Sequence, residues 1–269
     1  MKKIDWNLKF IRDIFGVECL HFGYWEENQK VDIENLKIAQ QRYIDILISK
    51  IPQGVKEILD VGCGTGEVAI NLINKNFKVE CVSPDEYQYE IFKQKSPNTK
   101  FYLTKFEDLV TDKKYDLVLM AESCQYLNLE KAFLKSKEIL VKEGYLLISD
   151  YFRKYNTSYY KTTHTKEEFY FFVKKYDFEV LFEEDITANI LPTLILAKKI
   201  YEKYALPIVE ILSGYISEKF SLLTKIFNFL LSPVLKKCRY YIFEHTRDKL
   251  DEKKFNEFME YKIILLRNS

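Results

Sequence analysis

The sequence predicts an α/β fold in which a mostly parallel sheet is covered by helices on both faces. Two observations carry this prediction. From Lys56 to Asp150, short apolar segments alternate with segments of helical periodicity, and such alternation is typical of βαβ units. Further along, two more strand-like segments enclose a long stretch of helical pattern, which predicts a helical insertion before the last strand.

The predicted strands are short, apolar and rich in β-branched or aromatic residues. They are Glu57–Asp60, Phe77–Val82, Lys100–Leu103, Tyr115–Met120, Tyr145–Asp150, Asp177–Asp185 and Tyr261–Arg267. The helices predicted between the first five strands are Glu67–Lys75, Asp85–Lys95 and Leu129–Leu140. The capping box Thr165–Glu168 opens a further helix before the sixth strand. Parallel strands are joined by right-handed crossovers, so helices are expected on both faces.

The segments outside this alternation are predicted to be helical. Near the N-terminus, Asp5 is placed to cap a short helix and Val31–Lys50 has an apolar helical rhythm. Before the last strand, helical patterns cover Ile195–Tyr204, Ile208–Phe220, Leu222–Leu231, a start at Ser232–Pro233, and Phe255–Glu260. We expect an N-terminal segment (residues 1–50), a core (51–186 and 261–269) and a helical insertion (187–260).

The insertion has two possible roles. Ligands of open α/β sheets bind at the carboxyl ends of the strands, and a helical cap over these ends is the favoured prediction. The alternative is a peripheral bundle that only packs on the core.

Composition narrows the functional class. The 41 basic and 40 acidic residues leave a net charge of +1, which argues against a nucleic-acid-binding protein. The 20 Tyr and 20 Phe fit either an AT-rich genome or a pocket for a flat, apolar substrate. The five cysteines lack metal-ligand spacing, so no metal site is expected. Charge at the second residue and the absence of a long apolar window predict a cytoplasmic protein with no membrane span.

A glycine-rich turn directly follows the first predicted strand. Ile58–Asp60 leads into Gly62–Cys63–Gly64–Thr65–Gly66 and then into a helix. Glycines allow a tight turn and leave room for a ligand against the backbone, and the helix N-terminus supplies free N–H groups. The spacing is one residue shorter than the dinucleotide fingerprint G-x-G-x-x-G. The turn thus predicts a ligand site and weighs against a nicotinamide-dependent oxidoreductase.

The stretch Ile58–Gly66 resembles the first motif of class I S-adenosylmethionine (SAM) dependent methyltransferases of the small-molecule type. The resemblance spans roughly Lys56–Asp150. It implies a Rossmann-like sheet of seven strands with the last strand antiparallel, SAM as methyl donor, and S-adenosylhomocysteine (SAH) as product. The residues that it assigns to the methionine part of SAM are Asp60, near the amino group, and Gly62, Cys63, Gly64 and Gly66.

The later family motifs match less cleanly. Family members usually carry an acid at the end of the second strand, where this chain has Ser83, with Asp85 two residues later. Either Ser83 contacts the ribose or Asp85 reaches back to it, unless Asp85 only caps the next helix. The resemblance also implies that Phe106 packs on the adenine beside Glu107. Glu107 and Glu122 are likewise assigned to the cofactor site, and the segment Ala121–Leu127 faces the methyl donor and the substrate in many small-molecule members.

The segment His21–Trp25 gives a second match. It is similar to the segment before the core in lipid- and amine-methylating small-molecule methyltransferases. The resemblance implies that Tyr24 and Trp25 close over SAM, so that residues 1–50 cover the cofactor. A hydrophobic staple on the core is the alternative.

No general base is assigned from the sequence. Methyl transfer from a sulfonium needs alignment and the exclusion of water, and it needs a base only if the acceptor must lose a proton. The candidates are Tyr126, Tyr151 and His164, near the ends of the fourth and fifth strands and before the capping box. His21 and His245 are further possibilities, although structural or exposed roles are the expectation for all three histidines.

The expected reaction is O- or N-methylation of a small hydrophobic or aromatic molecule. The apolar stretch Phe220–Leu231 must be buried, line a pocket or touch a membrane, and the turn Asp185–Thr193 before it is expected to position the acceptor. The alternatives are a SAM-binding protein without catalysis and a methylase of a macromolecule. The near-neutral charge disfavours the second. We expect no nucleic-acid partner, and either a monomer or a homodimer.

Overall fold

One seven-stranded sheet organises the chain, of which the structure, a computed structural model, describes residues 4–18, 21–219 and 245–269. The strand order is β3-β2-β1-β4-β5-β7-β6. The strands are β1 (Glu57–Val61), β2 (Lys78–Val82), β3 (Phe101–Tyr102), β4 (Tyr115–Ala121), β5 (Leu140–Arg153), β6 (Phe178–Asp185) and β7 (Met259–Asn268).

The pairing confirms the predicted fold class. Strands β1 to β5 pair in parallel, whereas β7 runs antiparallel to both β5 and β6. The strand predicted at Tyr145–Asp150 is longer than expected. It begins at Leu140, because this residue already pairs with Tyr115 of β4, so the residue predicted to end a helix belongs to β5.

The helices lie between and around the strands. They are α1 (Trp6–Phe15), α2 (Ile33–Ser49), α3 (Glu67–Asn74), α4 (Glu86–Lys95), α5 (Leu129–Ile139), α6 (Lys166–Lys175), α7 (Thr187–Ile200), α8 (Leu206–Lys219), α9 (Thr246–Lys249) and α10 (Glu252–Phe258). Two predicted caps are present: Asp5 Oδ1 accepts from Leu8 N–H at 3.0 Å, and Thr165 Oγ1 accepts from Glu168 N–H at 3.1 Å. Such caps satisfy N–H groups at helix starts that have no partner within the helix.

Both faces of the sheet are buried, as parallel sheets require. On one face, side chains of α2, α3, α4, α7 and α10 surround Ile58, Leu119 and Ile263. On the other face, α5 and α6 pack on Leu59 and Val118. Alternate residues of β1 therefore point into different cores.

The prediction of a turn at Asp185–Thr193 is wrong. Thr187–Ile200 is the helix α7, although Pro192 lacks the N–H that a helix interior normally uses. Burial of Ile190 and Leu194 in the core favours the helix over the predicted turn. The predicted stretches Leu222–Leu231 and Ser232–Pro233 lie outside the described residues.

Helix α7 fixes the N-terminal segment to the body of the protein. Thr193 Oγ1 accepts from Gly23 N–H at 3.1 Å and from Trp25 Nε1–H at 2.8 Å. Asn189 Nδ2–H donates to the Trp25 carbonyl at 3.0 Å. The described part of the insertion thus supports residues 21–25 from behind.

Candidate active site

A cavity of about 620 Å³ opens at the carboxyl ends of the parallel strands. The loops after β1, β2, β3 and β4 line it, together with residues of the N-terminal segment. Open α/β sheets bind their ligands at this edge, and the volume is in the range of small-molecule sites. The glycine turn, Ser83, Phe106 and Glu122 all lie along its wall.

The glycines of the turn divide into two roles. Gly62, Cys63 and Gly64 line the cavity, whereas Gly66 does not. Gly66 has φ +90°, and a Cβ there would lie 2.1 Å from the ring of Phe92, so this glycine permits the packing of α4. Gly64 has φ +58° with no atom within 4 Å of the position of a Cβ. Among these glycines, Gly64 is the one where a side chain would enter open space on the cavity wall.

Asp60 contributes a buried carboxylate beside the turn. It is 1% exposed and lines the cavity, and its Oδ2 has no hydrogen-bond partner among the described residues. Burial raises the pKa of Asp60 to about 7, because the charged form loses its hydration. An unpaired buried carboxylate is costly unless a cation or donor binds it, so this position suits a ligand ammonium group.

Ser83 and Asp85 have different roles in the structure. Asp85 Oδ1 accepts from Gln88 N–H at 2.8 Å and caps α4, and Asp85 does not line the cavity. Ser83 is buried and does line it. The position expected for a ribose contact is therefore occupied by a hydroxyl, and the acid two residues later serves the helix.

Phe106 and Glu107, in the segment after β3, have different roles. Phe106 is buried and lines the cavity, which places an aromatic wall where the adenine is predicted. Glu107 also lines the cavity, and its Oε1 accepts from Asn128 N–H at 2.9 Å. Asn128 in turn caps α5, so Glu107 connects the loops after β3 and β4.

Tyr24 and Trp25 lie away from the cavity, contrary to the expectation that they close over the cofactor. Trp25 is 2% exposed and packs in a separate core cluster between α2 and α7. A Cβ at Gly23 would lie 2.7 Å from that of Ala39, so the chain passes tightly against α2 and leaves the cavity at this point. The residues of this segment that line the cavity are His21 and Phe22.

Glu122 stands in a strained backbone conformation directly after β4. Its φ is +55°, which costs a residue with a Cβ about 1–2 kcal/mol, and its N–H donates to Ser149 O at 2.8 Å. Its Oε1 accepts from Phe22 N–H at 2.7 Å and from Tyr261 O–H at 2.9 Å. Burial, reinforced by the charge of Asp150, raises the pKa of Glu122 to about 8.

The catalytic candidates occupy different places. Tyr126 is 78% exposed at the rim of the cavity, whereas Tyr151 is half-buried in its wall. Burial raises the pKa of the Tyr151 phenol well above its usual value. His164 does not line the cavity. Its Nε2 lies 3.0 Å from the Leu127 carbonyl, so it supports the loop after β4 from outside.

The sequence patterns did not indicate Tyr43 and Tyr261 as residues of the site, and a structural or exposed role was expected for His21. Tyr43 and Tyr261 are fully buried and hydrogen-bond each other at 3.0 Å; the helical and strand patterns that contain them marked both as ordinary core residues. His21 lines the cavity with its Nδ1 2.8 Å from the Phe22 carbonyl, and its Nε2 is buried without a partner among the described residues. Burial lowers the pKa of His21.

Residues 59–148 match the sequence model of the methyltransferase domain family, and the sheet order and the glycine turn agree with this match. Residues 59–148 therefore form a SAM-dependent methyltransferase domain. SAM is the methyl donor of this family. Gly64 and Asp60 fit it, because one leaves open space and the other offers an unpaired carboxylate.

Several known proteins are similar to this chain, and their names point to different acceptors. A ubiquinone biosynthesis O-methyltransferase of Rickettsia typhi (strain ATCC VR-144 / Wilmington) is 33% identical over 148 residues, which is 51% of this chain and 59% of that protein. The chain spans little more than half the length of the curated relatives it matches.

Two solved structures share the fold. A sarcosine dimethylglycine methyltransferase from Galdieria sulphuraria has a TM-score of 0.71 at 16% identity, with 97% of each chain covered. Geranyl diphosphate C-methyltransferase from Streptomyces coelicolor A3(2), in complex with Mg²⁺, a substrate analogue and SAH, has a TM-score of 0.67 at 13% identity, with 96% of this chain and 91% of that one covered.

The described residues hold neither a metal-ligand cluster nor a membrane-spanning helix. Within residues 4–18, 21–219 and 245–269, no three His, Cys, Asp or Glu side chains are grouped so that they could hold a metal ion. No helix in the same part of the methyltransferase chain has the length and apolar character needed to cross a bilayer.

Proposed function

We propose that this chain binds SAM in the cavity at the strand ends and transfers its methyl group to a small hydrophobic or aromatic molecule by O- or N-methylation. The observation that carries the proposal is the unpartnered Oδ2 of buried Asp60 beside the open space at Gly64. A ligand with an ammonium group and a chain lying along the turn satisfies both. When bound, SAM supplies a methyl group on a positively charged sulfur, which a nucleophile displaces in line.

The charges of the cavity favour a cationic cofactor. Lys105 is the one Lys or Arg among the described lining residues, and the carboxylates among them are Asp5, Asp60, Glu67, Glu107 and Glu122. Glu67 pairs with Lys95. When ionised, the remaining carboxylates attract the sulfonium, so they favour SAM over its uncharged-sulfur product.

The acceptor side of the cavity is aromatic. The rings of Phe22 and Tyr151 meet edge to face with centroids 6.0 Å apart, and both line the cavity. Phe255 of α10 packs against both rings from behind. A flat, apolar molecule gains stabilisation from such surfaces, and their burial excludes water from the reacting atoms.

The N-terminal segment supplies the cover of the cavity. Asp5 and Leu8 of α1 join His21 and Phe22 in the lining. These contacts support the proposal that residues 1–50 shut the cofactor and the acceptor away from solvent. The described residues of the insertion do not line the cavity, and their part in the proposed cap is limited to holding the segment in place.

The experiment is a two-stage assay. Binding of SAM and SAH is measured by calorimetry, and methyl transfer is then followed with labelled SAM and a set of small neutral, cationic and anionic acceptors. Saturable binding followed by labelled small-molecule product supports the proposal. Binding with label on no small molecule, or label only on nucleic acid or protein, contradicts it.

A further inference from the structure

Glu122 is a polar residue of the cavity wall with an unusual backbone conformation. It begins the loop after β4 with φ +55°, a conformation that residues with a Cβ rarely adopt. The bond from its N–H to Ser149 O at 2.8 Å fixes this backbone to β5. Strain of this kind at a cavity wall commonly serves to aim a side chain.

The two oxygens of the Glu122 carboxylate differ. Oε1 accepts from Phe22 N–H and Tyr261 O–H at 2.7 and 2.9 Å, and these bonds hold the group in place. Oε2 has no hydrogen bond to the described residues. One oxygen is therefore anchored, and the other is left to accept a proton or a donor from a ligand.

The surroundings of Glu122 favour the protonated form. Tyr261 faces it from β7, Tyr43 from α2, and Asp150 from β5. Tyr126 and Tyr151 also lie within its electrostatic reach. None of these groups is a cation, so the carboxylate holds a proton more tightly than one exposed to water.

Resting on the proposed function, we propose that Glu122 accepts the proton of a neutral, hydroxyl-bearing aromatic acceptor whose ring lies against Phe22 and Tyr151. The O–H bond breaks towards Glu122 Oε2 as an O–CH₃ bond forms. The C–S bond of SAM breaks with its electron pair passing to sulfur. The products are the methyl ether, SAH and protonated Glu122, which returns its proton to water when the products leave.

His21 is the rival base. Its Nδ1 faces the Phe22 carbonyl at 2.8 Å, so Nδ1 carries the hydrogen and the buried Nε2 is the lone-pair atom. Burial lowers the pKa of His21 but raises that of Glu122. Glu122 is therefore the stronger base, closer to the proton affinity that a phenol requires.

The test compares three variants with the parent chain. Glu122→Gln keeps an oxygen that accepts both anchoring bonds but removes the base. Glu143→Gln is the matched control, because Glu143 also has positive φ, +60°, and is exposed away from the cavity. His21→Gln tests the rival. Thermal melting and SAH calorimetry establish that each variant is folded and binds the product.

The probes are catechol, benzoate, and geranyl diphosphate with Mg²⁺, each with labelled SAM. We expect methylation of catechol alone, with kcat rising as the pH rises through the pKa of Glu122. Glu122→Gln should lower kcat about 100-fold or more, abolish that rise, and leave SAH affinity within about twofold. Glu143→Gln and His21→Gln should retain the pH dependence.

Several results would overturn the inference. One is a Glu122→Gln variant that methylates catechol at the parental rate; another is loss of the pH-dependent rise in His21→Gln alone. Methylation of benzoate or geranyl diphosphate in place of catechol also contradicts it. If SAM binds but catechol is not methylated, the hydroxyl-acceptor assignment fails while the proposed cofactor stands. If SAM and SAH do not bind the parent chain, the proposed function itself fails.

Discussion

Replacement of Gly64 by leucine gives a sharp test of how the glycine turn serves the cavity. Gly64 has φ +58° and Gly54 has φ +94°, and at both positions a Cβ would have no atom within 4 Å of it. Gly64 lines the cavity, whereas Gly54 does not. Gly64→Leu and Gly54→Leu both force a residue with a Cβ into positive φ, at a cost of about 1–2 kcal/mol or more, but only the first places a side chain where the cofactor is proposed to lie.

The two variants should diverge in binding and agree in stability. For a chain of this size, the strain should lower Tm by roughly 2–8 °C in both. Gly64→Leu should weaken SAH binding at least 100-fold, or about 2.7 kcal/mol, while Gly54→Leu should bind like the parent. Calorimetry and thermal melting measure both quantities. Equal SAH affinity in the two variants would refute the placement of the cofactor along the turn, and unfolding of Gly64→Leu alone would show that the turn is structural.

Four further predictions concern other residues in and around the site. SAH binding should strengthen as pH rises through about 7, because an ammonium ligand favours the ionised form of Asp60. Asp60→Asn should weaken SAH binding and remove this pH dependence. SAH affinity that does not change with pH in the parent chain would contradict the assignment of Asp60 to the ammonium group. The raised pKa also means that the unliganded protein loses stability as pH rises from about 4 to 7, so Asp60→Asn should be relatively more stable at pH 8 than at pH 5 in urea titrations. Trp25→Phe should cost about 1 kcal/mol of unfolding free energy through the lost bond to Thr193 and leave SAH affinity unchanged, whereas a weaker affinity would return Trp25 to the cofactor site. Asp85→Ala should lower the free energy of unfolding by about 1 kcal/mol through the lost helix cap and leave SAH binding unchanged. Ser83→Ala should weaken SAH binding. The reverse pattern in calorimetry would assign the ribose contact to Asp85.

Local sequence patterns were sufficient to predict the sheet. The strands around Ile58, Val118 and Leu147 are buried on both faces, so each appears in the sequence as a short apolar run that could be recognised. The glycine turn could also be recognised from the sequence, because Gly62, Gly64 and Gly66 adopt positive φ, which few other residues tolerate.

The parts that escaped prediction depend on tertiary contacts. Trp25 was expected to close over SAM, and only the close approach of Gly23 to Ala39 shows that the chain turns into the core there. The segment Asp185–Thr193 was predicted as a turn, but the burial of Ile190 keeps most of it helical. Glu122 was predicted at the cavity, yet its anchoring to Phe22 and to Tyr261, far away in the sequence, could not be read from its neighbours.

The cavity beside Asp60 and Gly64 is proposed to bind SAM. Calorimetric titration of the folded chain with SAH at pH 8 tests this proposal most directly. We expect saturable binding of one SAH molecule per chain, which Gly64→Leu weakens at least 100-fold and Gly54→Leu retains. Absence of binding by a chain that melts cooperatively, or equal SAH affinity in Gly64→Leu and Gly54→Leu, would contradict it.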